Sequence, residues 1–223
     1  MITSLSKKQL QDYTSKQLNF FFPDHKIVNL AHFDTAVTVA LDKLEYCYKY
    51  CQLKQYNDGN NTYFNHLYSD HYVMYLWYLA NTIWREKFDK DVCNKLYYLN
   101  KTLHGLDCMY DTHLPDIFLL FHCVGTMLGK ATYSNFFVAL QGCTVGSHNG
   151  IYPVFDTGVS LTAHSSVIGN CKIGKKVSIS AYTNIFETDI PGNRVVYKTQ
   201  NGEIIIKESN KSYAQGFFNV PIE

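Results

Sequence analysis

A chain of 223 residues with 46% hydrophobic and 17% charged content can bury one large core or two small ones. Its formal net charge is +1 and no Lys/Arg cluster appears, which argues against nucleic acid as a partner, because phosphate binding draws on a concentrated positive patch. No apolar run reaches about eighteen residues and the N-terminus carries no signal pattern, so membrane insertion and secretion are not expected and a soluble, cytoplasmic protein is. The seven cysteines (Cys47, Cys51, Cys93, Cys108, Cys123, Cys143, Cys171) form an odd set with no CxxC pair. Neither a disulfide framework nor a metal site is expected from them, and they read as small buried hydrophobes.

The opening residues lead directly into polar, helix-like sequence. Residues 33–47 and 71–85 place apolar side chains at three- and four-residue spacing, which predicts two amphipathic helices. The Asn, Asp and Gly of 55–62 form a turn between them. A further helix is predicted over 89–103, with Gly105 as its terminator. Near Asp111 the pattern changes, and Pro115 prevents helix from continuing.

Downstream, Leu161, Val167, Ile173, Ile179 and Ile185 recur every six residues, and a compact residue follows four positions after each of the first four: Ser165, Cys171, Val177 and Thr183. That period is neither the 3.6 of a helix nor the 2 of a strand. It is the mark of a hexapeptide β-helix, a triangular prism whose sides each contribute one inward aliphatic residue and whose coil takes about eighteen residues. Phe155 and Val159 extend the register backward, and 122–140 continues it less regularly, with Ser134 where an aliphatic residue is expected. Residues 146–154, with two Gly, an Asn and a Pro, break the period and read as a loop extruded from a corner. The expected fold is therefore α+β. A helical N-terminal domain (1–110) precedes a left-handed parallel β-helix (111–190), and a polar C-terminal tail (191–223) carries one strand-like run at 203–206.

This order of elements, together with Phe121-His122-Cys123-Val124-Gly125-Thr126-Met127-Leu128-Gly129, resembles the serine acetyltransferase group of hexapeptide-repeat acyltransferases. The segments 140–146, Tyr152-Pro153-Val154 and 167–174 agree with it, and the likeness spans about residues 105–195. The resemblance implies acetyl-coenzyme A as co-substrate, Gly146, Ala163 and Ala181 as its contacts, and a homotrimer whose donor groove is shared between copies. In cysteine-pathway relatives the helical domain also joins two trimers.

Family members that acetylate serine commonly carry an Arg-His pair where this chain has Ile151-Tyr152, and an aspartate where it has Phe121. Losing those groups disfavours a desolvated zwitterion, so the variant looks more like relatives that acetylate a sugar in surface-polysaccharide biosynthesis (capsule or lipopolysaccharide). Serine O-acetylation and N-acetylation of a sugar nucleotide are the alternatives.

Acetyl transfer to a hydroxyl needs a base, and a neutral imidazole suits the working pH. The matched segment points to His122. Its ring needs a carboxylate on the other nitrogen; Asp111, in an Asp-x-His element, is the first choice and Asp116 the competitor. His148 on the extruded loop contacts acceptor or thioester or is a plain turn histidine; Tyr152 and Phe121 complete the expected acceptor site, and His164 reads as a surface position.

Overall fold

The computed structural model describes residues 1–87 and 89–223. Among the described residues four α-helices precede the β-helix. Helix α1 (Lys7–Phe21) starts in a capping box: the Ser6 hydroxyl accepts from the Gln9 amide and the Gln9 side chain returns to the Ser6 amide. Helices α2 (Asp34–Lys49), α3 (Ser69–Arg85) and α4 (Lys90–His104) follow. The Asp89 carboxylate caps α4 by accepting from the amides of Asp91 and Val92, and Gly105 ends it at φ 66°, the left-handed conformation that glycine adopts without penalty. Helix α3 lies between α2 and α4, and every residue from Asp70 to Ile83 is buried. Among the described residues no helix is long and apolar enough to cross a membrane.

The second half is a parallel β-helix of about four coils with three faces. The first face stacks Phe118–Leu120, Phe137–Ala139, Ser160–Leu161 and Ser178–Ile179. On the second lie Met127–Leu128, Thr144–Gly146, Ser166–Ile168 and Asn184–Phe186. The third pairs Val154–Phe155 with Lys172–Ile173. Leu161, Val167, Ile173, Ile179 and Ile185 are each at most 3% exposed, as the six-residue period requires, and burial of each stabilises the prism by roughly 1.5–3 kcal/mol. Ser134 fits because its hydroxyl donates to the Phe155 carbonyl at 2.9 Å, while Tyr133 stacks on Phe155 at 5.4 Å and takes the volume an aliphatic side chain would fill. All seven cysteines are buried and free.

Two features are more compact than the sequence suggests. Val138 pairs with Ser160, 22 residues on, whereas Ser160 pairs with Ser178, 18 residues on; the extruded segment is therefore only four residues longer than a regular coil. It is a tight hairpin in which His148 and Ile151 pair across Asn149 and Gly150, both at positive φ, the geometry of a two-residue β-turn. The tail, in turn, does not hang free. Arg194–Lys198 adds to the first face beside Ser178–Ile179 and folds back on Ile204–Glu208. The chain then returns to the helices, where the Gln52 amide donates to Phe217 and the Asn219 amide to Tyr50, and Phe217, Phe218 and Ile222 are buried.

Helices and prism meet at the first coil. The Cys47 thiol donates to the Phe118 carbonyl at 3.0 Å, and the rings of Trp77 and Tyr78 lie 5.5 Å from that of Phe118.

Burial within the helices gives the fold an acid sensitivity. His71 and His104 are 1% and 9% exposed, and burial pushes both imidazoles down to about 4. Both states are neutral above the ordinary histidine value of about 6.5, so there the stability is complete. Between about 6.5 and 4 the unfolded chain takes up protons that the folded chain refuses, and each histidine costs up to about 3 kcal/mol across the window. Urea midpoints should therefore fall steadily from pH 7 to pH 4.5. A midpoint constant over that range contradicts the neutral assignment of both rings.

Candidate active site

The strand Phe118–Leu120 delivers the chain to the corner between the first and second faces, and His122 sits on that corner at φ 52°. A non-glycine residue held at positive φ is uncommon and projects its side chain away from the regular ladder. The His122 side chain is 62% exposed. Beneath it, in the first turn of α3, lies Asp70, with its side chain 4% exposed. One carboxylate oxygen of Asp70, Oδ1, accepts from the His122 backbone amide at 3.0 Å, and the other, Oδ2, stands 3.4 Å from Nδ1 of the ring. The backbone bond fixes where the carboxylate sits, and the ring contact is looser.

Burial raises the Asp70 carboxyl above the usual carboxylate range, and His122 opposes that rise through its charge and its backbone amide. Asp70 is therefore matched to an imidazolium: the moment His122 gains a proton, a buried negative charge gains its partner. With Nδ1 facing Asp70, Nε2 is the nitrogen left for an acceptor. Phe121 packs on His122 at 4.1 Å between ring centroids, and Phe217 from the returning tail packs on Phe121 at 5.4 Å, so the imidazole has an aromatic wall on one side.

The carboxylate expected from the sequence is displaced. Asp111 is engaged by Lys130 at 2.7 Å, and among the described residues neither it nor Asp116 is ion-paired with His122. The Asp-x-His element of the resemblance favoured Asp111, yet the first coil carries it to the side of Lys130, while α3 brings Asp70 from 52 residues away. Sequence reading missed Asp70. The available signal was an acidic residue at the head of a largely apolar stretch, where a lone charge is costly without a partner. Phe217 was missed too, although the apolar run Phe217-Phe218 stands out in a tail read as polar.

The other candidates fall into two groups. Ala163, His164 and Ala181 lie on the His122 corner in the following coils, where the backbone amides of His164 and Tyr182 donate to Gln141 and Ala163. His164 covers Gly142 so closely that a Cβ there would stand 2.2 Å from its Nδ1, and its ring stacks on Tyr182 at 5.0 Å. Gly146, His148 and Tyr152 belong instead to the turn from the second face to the third. His148 is held by Glu187 at 2.8 Å and lies against Phe186. The Tyr152 ring lies against Gly129, where a Cβ would meet it at 2.6 Å. One chain therefore brings Phe121, His122, Ala163 and Ala181 to one corner and leaves Gly146, His148 and Tyr152 at another. Among the described residues no group of three or more His, Cys, Asp or Glu is placed to hold a metal ion.

No family model matches the sequence, and no curated protein matches it. Solved structures do match. A serine acetyltransferase from Brucella abortus strain S19 superposes with a TM-score of 0.68 at 17% identity, covering 93% of this chain and 85% of that one. The Neisseria gonorrhoeae serine acetyltransferase gives 0.68 at 18% identity over 95% and 83%. A serine acetyltransferase in complex with CoA gives 0.65 at 15% identity over 86% and 82%. At such identities what is shared is the fold: this chain has the architecture of the serine acetyltransferases, a helical region followed by a parallel β-helix.

Proposed function

We propose that this chain is an acetyl-coenzyme-A-dependent O-acetyltransferase in which His122 is the general base and Asp70 its orienting carboxylate. The observation that carries the reading is the pairing of an exposed corner imidazole with a buried carboxylate, on a fold shared with acetyltransferases solved with CoA. Nε2 of His122 accepts the proton of the acceptor hydroxyl as its oxygen attacks the thioester carbonyl. The tetrahedral adduct then collapses, the carbon–sulfur bond breaks, and the departing thiolate takes that proton back from the imidazolium. Asp70 stabilises the imidazolium while it exists. Ala163 and Ala181, small and on the same corner, leave room along it for the extended pantetheine arm, which is amide-bearing and suited to backbone hydrogen bonds. Gly146 and the pair His148 and Tyr152 join this site only where a second copy presents its other corner.

For the acceptor, the similar structures are serine acetyltransferases, and they favour serine over the glycan hydroxyl expected from the sequence. One observation supports the sugar as a second reading: the wall beside the base is Phe121 and Phe217, apolar ring faces of the kind that pack on a pyranose and offer nothing to an ammonium or carboxylate. Thiol release from acetyl-coenzyme A, measured against serine, amino-sugar nucleotides and capsular oligosaccharides, separates them. Turnover confined to serine is the expected result. Turnover on a sugar hydroxyl with negligible serine activity replaces it by the second reading, and product analysis distinguishes O- from N-acetylation. No acceptor-dependent thiol release with any of them overturns the proposal.

A further inference from the structure

Buried polar atoms are almost always hydrogen-bonded, so several without a partner in one place call for an explanation. Four such atoms belong to neighbouring side chains beneath His122: Oη of Tyr48, Oη of Tyr56, Nε2 of His71 and Oδ2 of Asp70. Tyr48 in α2 and Tyr56 in the following turn are fully buried. Their rings meet edge-on at 4.8 Å and pack on His71, the residue next to Asp70, at 5.1 and 4.4 Å. Nδ1 of His71 accepts from the Asn65 amide at 3.1 Å, so the neutral ring carries its proton on Nε2. The group is thus chemically complementary, three donors and one carboxylate oxygen on neighbouring side chains, rather than a set of unrelated defects.

We infer that Tyr48 and Tyr56 are positioning residues for the proposed base: their hydroxyls hydrogen-bond Oδ2 of Asp70, directly or through one enclosed water, and hold that carboxylate in line with Nδ1 of His122. The inference rests on the acetyltransferase reading for its kinetic consequence and on geometry alone for its structural one. A buried carboxylate with His122 on one side needs further donors to stay ionised, since burial by itself favours the protonated form. A protonated Asp70 does not stabilise an imidazolium. The other groups facing Asp70 bring no positive charge to balance it. His71 is neutral, and the Cys123 thiol is pushed up to about 12 by burial and by the Asp70 charge, so it stays protonated. Burial, with a smaller push from the Asp70 charge, raises both phenols, which keeps them as donors.

The test compares Tyr48→Phe, Tyr56→Phe and the double variant with Tyr75→Phe, which removes another partnerless buried phenol that packs on Tyr72 and Phe64. Titration of Asp70, followed through its 13C-labelled carboxyl carbon, should shift upward by about one unit in the double variant, with smaller shifts in the singles and none in Tyr75→Phe. The acid limb of kcat should move up with it by the same interval, lowering kcat by up to about tenfold on that limb, while KM for acetyl-coenzyme A is unchanged. An unmoved Asp70 titration in the double variant, or equal shifts in all four proteins, overturns the inference. So does a high-resolution crystal structure in which neither a direct bond nor a water joins the phenols to Oδ2. The carboxyl titration needs no turnover, so a wild-type protein that fails to transfer acetyl would count against the proposed function and leave this result readable.

Discussion

Replacing His122 by alanine lowers acetyl transfer by about a hundredfold to ten-thousandfold and leaves acetyl-coenzyme A binding nearly unchanged. The range is that of a positioned general base, which acts only while the acceptor proton is in flight. The imidazole also contributes little to the fold: its ring is mostly exposed, and the Asp70 hydrogen bond is made by the backbone amide, which alanine keeps. The φ of 52° adds some strain for alanine, so a thermal melt should accompany the kinetics to show that the variant is folded. Calorimetric titration with acetyl-coenzyme A and thiol release with the accepted substrate separate the two steps. A variant that keeps more than about a tenth of the wild-type rate removes His122 from the mechanism.

Asp70→Asn should cost nearly as much, at least about a hundredfold in kcat with KM little altered. The change preserves shape and preserves the acceptor for the His122 amide, yet it places an amide where the carboxylate faced Nδ1. An amide N–H directed at Nδ1 turns that nitrogen into an acceptor and moves the ring proton to Nε2, the atom that must receive the substrate proton. The same substitution in a Ser-His-Asp triad costs about ten-thousandfold for this reason. Asp111→Asn supplies the contrast. It loosens a pair with Lys130, whose side chain is 55% exposed, and should lower the rate far less than Asp70→Asn. The reverse order of effects would restore the carboxylate that the Asp-x-His element suggests.

The two carboxylates also show where sequence reading reaches its end. The six-residue period is a local property, imposed by the need to bury one aliphatic residue per prism side, so the inward positions of Leu161 through Ile185 follow from their spacing alone. Helix boundaries were readable for the same kind of reason, with Asp89 and Gly105 marking the ends of α4 through capping chemistry that depends only on neighbours. His122 was found because its segment resembles a known one. Asp70 was not, since a contact across 52 residues is decided by how α3 docks on the first coil. The tail was misjudged for a related reason: Phe217, Phe218 and Ile222 are too few and too irregular to form a pattern, and they are buried only because the chain doubles back to the helices. The division of the candidate residues between two corners follows from where each falls along its coil: Gly146 ends a second-face strand with His148 and Tyr152 after it, whereas His122, Ala163 and Ala181 lie between the first and second faces.

The state of the His122 ring tests the account most directly, because base chemistry at Nε2 requires the proton to be on Nδ1, facing Asp70. Long-range 1H–15N correlation spectra of the ring, recorded at a pH where it is neutral, distinguish the tautomers without reference to any acceptor. The account predicts the Nδ1–H tautomer in the wild type and its loss in Asp70→Asn. A wild-type ring in the Nε2–H form would contradict it, since the nitrogen turned toward the acceptor would then already hold the proton it is required to take.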